Sequence, residues 1–454
     1  MSLRDRASWA LVIFLSVAIL IAPAIWNGFP LLQWDTGGYL ARTYESVLVP
    51  SRPVAYGLIL RAGVPFDFWP VLILQSLLAV WIVALTLRTQ GLSGRPWLLA
   101  GVIATLSALT TLPWLTSILL TDIFCVLSVL ALHMLVTQSE QLSRGERLGL
   151  VALIAVSAAT HSATFAVLAA LLVAAAAVRL LPRVGFKARI APGIAALALG
   201  AALVFATNFI IVKRLTWTPG GPSIAFGRML QDGIVNKYLD EHCPDRHLTL
   251  CTYKDQLPRD ADVWFWGNAL FDKLGRFSGL DREMGEIAWR ALLEYPGLQI
   301  ETALSATARQ LVAVHSGEGV LNTIWHTYAI IERYAPQLAP AMHAARQQRN
   351  GISFTALNEL HYPVALLSMA LLPLLIGMAW RGRLPDELGR LATTCTLALL
   401  ANAFVCGVLS NPHDRYGARL VWLAAFVGVI AVARAVEELR REMPPATAQA
   451  SLLN

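Results

Sequence analysis

Residues 67–87, DFWPVLILQSLLAVWIVALTL, carry one charged side chain in 21 positions, and it stands at the edge of the run. A helix needs about 20 predominantly apolar residues to cross the hydrocarbon of a bilayer. Working outward, comparable runs cover approximately residues 9–26, 97–112, 117–136, 148–160, 164–180, 190–211, 361–380, 391–409 and 418–436. The whole chain agrees. Of 454 residues, 56% are hydrophobic and only 14% charged, and the mean hydropathy is +0.57. Soluble domains carry roughly a quarter charged residues. The fold class expected is an all-α membrane protein with about ten transmembrane helices.

The net charge of +7 does not point to nucleic acid, because the cationic residues stand in short groups between apolar runs. Counting from the first helix, every second connection is basic: Arg4 and Arg6; Arg88 and Arg95; Arg144 and Arg147; Arg179, Arg183, Lys187 and Arg189; Arg381, Arg383 and Arg390; Arg434, Arg440 and Arg441. With ten helices all six groups share one side, which the positive-inside rule makes cytoplasmic, together with both termini. Ala22-Pro23-Ala24 resembles a signal-peptidase site, but the apolar run continues through Trp26 and reads as an uncleaved anchor. The division expected is a membrane module over 1–211 with a first outer loop at 27–66, a mainly helical outer domain over 212–360, and a membrane module over 361–454. Helical periodicity marks 283–295 and 296–315 within the outer domain.

Of five cysteines, Cys125, Cys395 and Cys406 lie in apolar runs and read as packing residues. Cys243 and Cys251 bracket the loop CPDRHLTLC on the outer side, where disulfides persist. Closing so short a loop contributes about 2–3 kcal/mol. The alternatives are two free thiols, or a metal pair helped by His242 and His247, whose spacing matches no zinc motif.

The first outer loop gathers Asp35, Tyr39, Arg42, Glu45, Arg52 and Tyr56 among apolar flanks. Asp35 precedes Thr-Gly-Gly, where the backbone can approach a ligand closely. It is equally well placed to cap the following YLARTYESV, read as a helix on the membrane surface. Arg52 is either a functional cation or an anchor reaching lipid phosphates. Asp122 stands at the outer end of an apolar run, where an unpaired carboxylate is costly, so a structural ion pair is its plainest reading. His161, between two apolar runs, can bind phosphate or acceptor, or merely sit in interfacial water. His133 falls inside a spanning run and is expected to hydrogen-bond within the bundle.

The order Asp35…Tyr39, then Arg52-Pro53…Tyr56 and an apolar run, resembles the GT-C superfamily of polyprenyl-phosphate-dependent membrane glycosyltransferases. Leu120-Thr121-Asp122 and Asp414-Arg415-Tyr416 are similar to later motifs of that family. The placement of 212–360 before the last three helices departs from its usual C-terminal domain. The resemblance implies a bacterial inner-membrane enzyme moving a sugar from a polyprenyl-phosphate donor to a glycan, lipid or protein acceptor on the periplasmic face. It implies Asp35 as general base, with Arg52, Tyr39, Tyr56, Asp122, His161, Arg415 and Tyr416 around donor phosphate and substrate. No cofactor is required; a divalent cation between Asp35 and Asp122 is allowed.

Two other readings compete: a transporter or flippase for a lipid-linked or envelope glycan, and a non-catalytic envelope assembly factor. The chain has no G-x-x-x-x-G-K-[ST], no G-x-G-x-x-G opening a helix after a strand, no H-E-x-x-H and no G-x-S-x-G. ATP-driven transport by this chain alone is disfavoured, and nothing argues for a serine hydrolase. The three readings separate on geometry, since a transferase needs Asp35, Arg52 and Arg415 to converge.

Overall fold

A computed structural model describes residues 2–46, 52–180, 188–218, 220–244 and 247–442. Each expected apolar run falls on a helix, and the described residues form no strand. Among the described residues, six helices are long and apolar enough to cross a membrane: Trp69–Thr89, Ser162–Arg179, Ala191–Val212, Thr355–Trp380, Asp386–Leu409 and Asp414–Arg440. Ala55–Phe66, Pro96–Leu109 and Asp122–Thr137 are apolar but shorter. Leu3–Leu20 begins with charged residues and a Ser2–Asp5 capping box.

Ion pairs gather several basic connections at one end of the bundle. Arg88 bonds Glu146 at 2.7 Å, Arg189 bonds Glu140 at 2.9 Å, and Arg95 pairs with Glu437. The Gln90 amide donates to the Glu387 carbonyl at 3.3 Å. Arg183 and Lys187 lie outside the described residues.

The opposite end is where the chain abandons regular helix. The Leu112–Ser117 helix stops at Ile118, and the Asp122–Thr137 helix begins four residues later. In that gap the backbone pairs with the first loop: Leu31 N–H donates to Ser117 O and Leu119 N–H to Leu31 O, both at 3.0 Å. Thr36 Oγ1 then donates to Leu119 O at 2.9 Å. These three bonds fix the start of one helix, Trp34–Glu45, against the start of another, Asp122–Thr137.

The Trp34–Glu45 helix does not lie open on a membrane surface as expected. Residues 36–43 are buried between the Ala55–Gly63 and Trp325–Tyr334 helices. Glycines permit both approaches. A Cβ at Gly57 would collide with the Tyr39 carbonyl, and one at Gly37 would stand 2.7 Å from Thr327 Cα.

The stretch 212–360 contributes to two cores. Residues from Phe226 to Ala291 form a separate hydrophobic cluster around Trp264 and Phe271, against which the Cys243–Cys251 disulfide packs. The periodic segments are the helices Arg276–Glu294 and Pro296–Val312. Pro296–Val312 lies along Asp386–Leu409, and residues 314–345 join the main core of the membrane helices. The stretch 212–360 is therefore built into the helical bundle as well as set upon it.

Gly417 sits where the Ala313 carbonyl crosses the last helix, with no room for a Cβ. Gly417→Val should cost on the order of 3 kcal/mol through overpacking, read as a lowered unfolding temperature in detergent. Gly101→Ala, with nothing within 4 Å of the added carbon, should leave it level or raise it slightly.

Candidate functional site

The residues that open the first buried helix are arranged so that Asp35 is free to pair. Gln33, not Asp35, is the cap: its Oε1 accepts from Asp35 N–H at 2.8 Å, and Thr36 Oγ1 accepts from Gln33 N–H at 3.0 Å. Asp35 occupies the first turn, and its carboxylate points to two guanidiniums. Arg52 Nη2 bonds one oxygen, and Arg415 Nη1 bonds the other at 2.8 Å. Arg415 also donates through Nε to Asp122 Oδ2 at 2.9 Å. Arg419, one turn further along the same helix, donates to Asp122 Oδ1 at 3.3 Å.

Residues 35, 52, 122, 415 and 419 thus form one ionic cluster drawn from four separate parts of the chain. Arg419 is fully buried and the Asp122 side chain is 2% exposed, whereas Asp35 and Arg52 are 14% and 21% exposed. The Asp35–Arg52 side is the open one. Three guanidiniums face two carboxylates, leaving one formal positive charge. Inside a low-dielectric setting, that excess suits a singly charged anion.

The remaining candidates divide. Tyr416 lies with its ring centroid 5.4 Å from the Arg415 guanidinium and 5.5 Å from that of Arg419, which orients both cations. Its carbonyl accepts from Asn402 Nδ2 at 2.7 Å. Tyr39 packs edge-on against Tyr56, with centroids 5.3 Å apart, and its side chain is fully buried. Tyr56 donates to Gln75 Oε1 at 3.1 Å and serves the core beneath the site. His161 stands within electrostatic range of both carboxylates and of Arg415 and Arg419, and its Nδ1 is buried without a partner. His133 bonds Thr394 at 2.8 Å within the bundle.

Four participants escaped sequence reading: Arg419, Glu318, His413 and Asp262. Arg419 had a signal, since an arginine four residues after Arg415 in an apolar run shares its helix face. Glu318 had none. One of its oxygens accepts from the Arg415 backbone N–H at 2.7 Å, and the other meets His413 Nδ1 at 2.6 Å. His413 Nε2 reaches Asp262 at 3.2 Å, linking the site to the second core. Burial disfavours the His413 imidazolium, but Asp262 and Glu318 outweigh it and push its pKa up to about 10. For Asp35, burial works upward, but Arg52 and Arg415 prevail and hold the carboxyl well below the usual range.

A shared divalent cation does not fit this arrangement. Arg415 bonds both Asp35 and Asp122 and occupies the place between them. No group of three or more metal-ligating side chains occurs among the described residues. Comparison with family models, with curated proteins and with solved structures finds no match to this chain, so the glycosyltransferase resemblance rests on the residues quoted for it.

Arg419→Met leaves one oxygen of a buried carboxylate without its donor while Arg415 still pairs with the other, and should cost about 1–3 kcal/mol, measured as loss of thermal stability in lipid nanodiscs. The His413 link has a defined pH window. Its pKa is raised, so its stabilisation is complete below about 6.5 and is lost as pH rises through about 10. The stability difference between wild type and His413→Gln should therefore shrink as pH is raised through that window.

Proposed function

We propose that the chain is a membrane glycosyltransferase that moves a sugar from a polyprenyl-phosphate donor to an acceptor, inverting the anomeric centre. The observation that carries this reading is the joining of Asp35, Arg52, Asp122, Arg415 and Arg419 in one cluster with a single excess positive charge. A sugar–phosphate–lipid donor is a phosphodiester with one negative charge. The outer ends of apolar helices, where this cluster stands, are where the head group of a lipid-anchored donor arrives.

In the proposed reaction, the donor phosphate takes hydrogen bonds from Arg52 and Arg415. Both guanidiniums are held by Asp35 in the resting site, and a carboxylate so held is a weak base. As they turn to the phosphate, Asp35 loses the partners that depress its pKa and its proton affinity rises. It accepts the proton of the acceptor hydroxyl while that oxygen bonds to the anomeric carbon. The anomeric carbon–oxygen bond breaks, and its electron pair leaves on the polyprenyl phosphate, where Arg52 and Arg415 meet the growing charge. No step is routed through a metal.

The wider setting belongs to the same proposal: ten membrane crossings, both termini in the cytoplasm of a bacterium, and the site on the periplasmic face with 212–360 inserted beside it. The grouping of Arg88, Arg95 and Arg189 at the end of the bundle away from Asp35 supports a common side for these connections. The local bonding of His133 to Thr394 and Thr137 gives a transport pathway little support.

The test is transfer of radiolabel from polyprenyl-phosphate sugars in proteoliposomes. Wild type should transfer, and Asp35→Asn should lose at least about a hundredfold in rate while keeping wild-type expression. Equal transfer by both removes Asp35 as base, and no transfer from any donor overturns the reading.

A further inference from the structure

Three tryptophans stand exposed near Asp35, and the proposed sugar transfer uses none of them. Trp26, Trp34 and Trp325 are 48%, 45% and 69% exposed, although they come from distant parts of the chain. One buried side chain holds their neighbourhoods together. Gln347 accepts from Leu32 N–H at 3.0 Å and donates to the carbonyls of Leu32 at 2.8 Å and Leu321 at 3.0 Å. Its backbone N–H donates to Asn27 Oδ1 at 2.8 Å, beside Trp26. Thr327, two residues beyond Trp325, donates through Oγ1 to the Trp34 carbonyl at 3.0 Å. Exposed Leu321 completes the patch.

An exposed apolar patch of this kind marks a partner or a membrane. The start of the chain decides which. Its hydrogen-bonded ladder runs on from Leu3–Leu20 into Ala22–Asn27, since Ile21 N–H bonds Val17 O and Ile25 N–H bonds Ile21 O, both at 3.0 Å. Leu11, Phe14, Leu15, Ile25 and Trp26 are exposed along one face, at the spacing of a helical stripe. Val12, Ser16 and Leu20 are buried on the other. An apolar face turned away from the protein over such a length suits hydrocarbon. Arg6 and Trp26 are separated by about 30 Å of helix, which matches the thickness of the hydrocarbon layer. Trp26 therefore falls where that layer ends.

The charge beside the patch is of one sign. Residues 333–358 hold Arg333, Arg346 and Arg349 and no aspartate or glutamate. Arg346 Nε donates to the Trp26 carbonyl at 2.9 Å, and its guanidinium lies 5.1 Å from the Trp26 ring centre. Arg346 and Arg349 are both exposed. Indoles prefer the boundary between hydrocarbon and water, and guanidiniums there bind phosphate oxygens. We infer that residues 321–349 form a collar seated on the membrane boundary, with Trp26, Trp34 and Trp325 at the edge of the hydrocarbon and Arg346 and Arg349 on the phosphates of anionic phospholipids. Trp34 precedes Asp35, so the collar sets the ionic cluster at the level of the lipid phosphates. No step of glycosyl transfer requires such a collar, and it would serve a transporter equally.

The experiment is a spin-label depth measurement on the full chain in liposomes of phosphatidylcholine and phosphatidylglycerol. A nitroxide is placed on Trp325→Cys, with Phe14→Cys as the hydrocarbon reference and Asp272→Cys, exposed in the second core, as the water reference. Cys125, Cys395 and Cys406 are buried and Cys243 is bonded to Cys251, so the introduced thiol is the one labelled. Leu321→Cys provides a second site, should the first variant not fold. The ratio of oxygen to nickel-chelate accessibility at 325 should lie between the two references, at least about threefold above that at 272. A ratio equal to that at 272 would overturn the collar. So would exclusion of both reagents, which would mean a protein neighbour. Arg349→Gln, alone and with Arg346→Gln, should lower the phosphatidylglycerol retained per chain, read by native mass spectrometry, by about threefold or more. Arg282→Gln should leave it level. Retention unchanged in folded arginine variants would overturn the phosphate contacts.

Discussion

The guanidinium of Arg415 bonds Asp35 on one side and Asp122 on the other, and this end of the bundle is organised around that bridge. It ties the first loop, a central apolar helix and the last helix to one point. Each carboxylate would be expensive alone at that depth, and so would the cation. Mutual pairing makes the burial tolerable, and Arg419 and Arg52 complete it from below and above. Arg415 is the partner common to both carboxylates, so its removal would leave Asp35 to Arg52 and Asp122 to Arg419 with no link between the two pairs.

Backbone geometry delivers the groups to that point. The pairing of Leu31 with residues 117–119 sets two helix starts side by side, so Asp35 and Asp122 both come from first turns. Acidic groups are favoured there by the helix dipole. Gln33 takes over the capping that Asp35 would otherwise supply, which leaves the Asp35 carboxylate to the arginines. Glu318 then reaches the Arg415 backbone from the stretch 212–360. Through His413 and Asp262 the second core is coupled to the same cluster, giving it a direct route to the site.

Helices were legible because lipid-length apolar runs and basic connections are local properties of the chain. The convergence of Asp35, Arg52, Asp122 and Arg415 was legible only through motif order, since ion pairs spanning 380 residues leave no spacing signal. The burial of Trp34–Glu45 was missed because its cover, Trp325–Tyr334, comes from nearly 300 residues away. Glu318 sits in a glycine-flanked turn with no periodicity, and nothing local distinguishes it from a solvated loop carboxylate. Tyr56 shows a contact that motif order could not foresee. Its position in a motif suggested substrate, while its hydroxyl is spent on Gln75.

A resting site in which Asp35 is held by the arginines that await the phosphate commits the account to an exchange of partners. The most direct measurement is a cryo-EM structure of the chain in nanodiscs with a non-transferable polyprenyl-phosphate sugar analogue. The account predicts phosphate density within hydrogen-bond distance of Arg52 and Arg415, with the Asp35 carboxylate released from at least one of them. Phosphate bound elsewhere, with the Asp35–Arg52–Arg415 cluster unchanged, would contradict it.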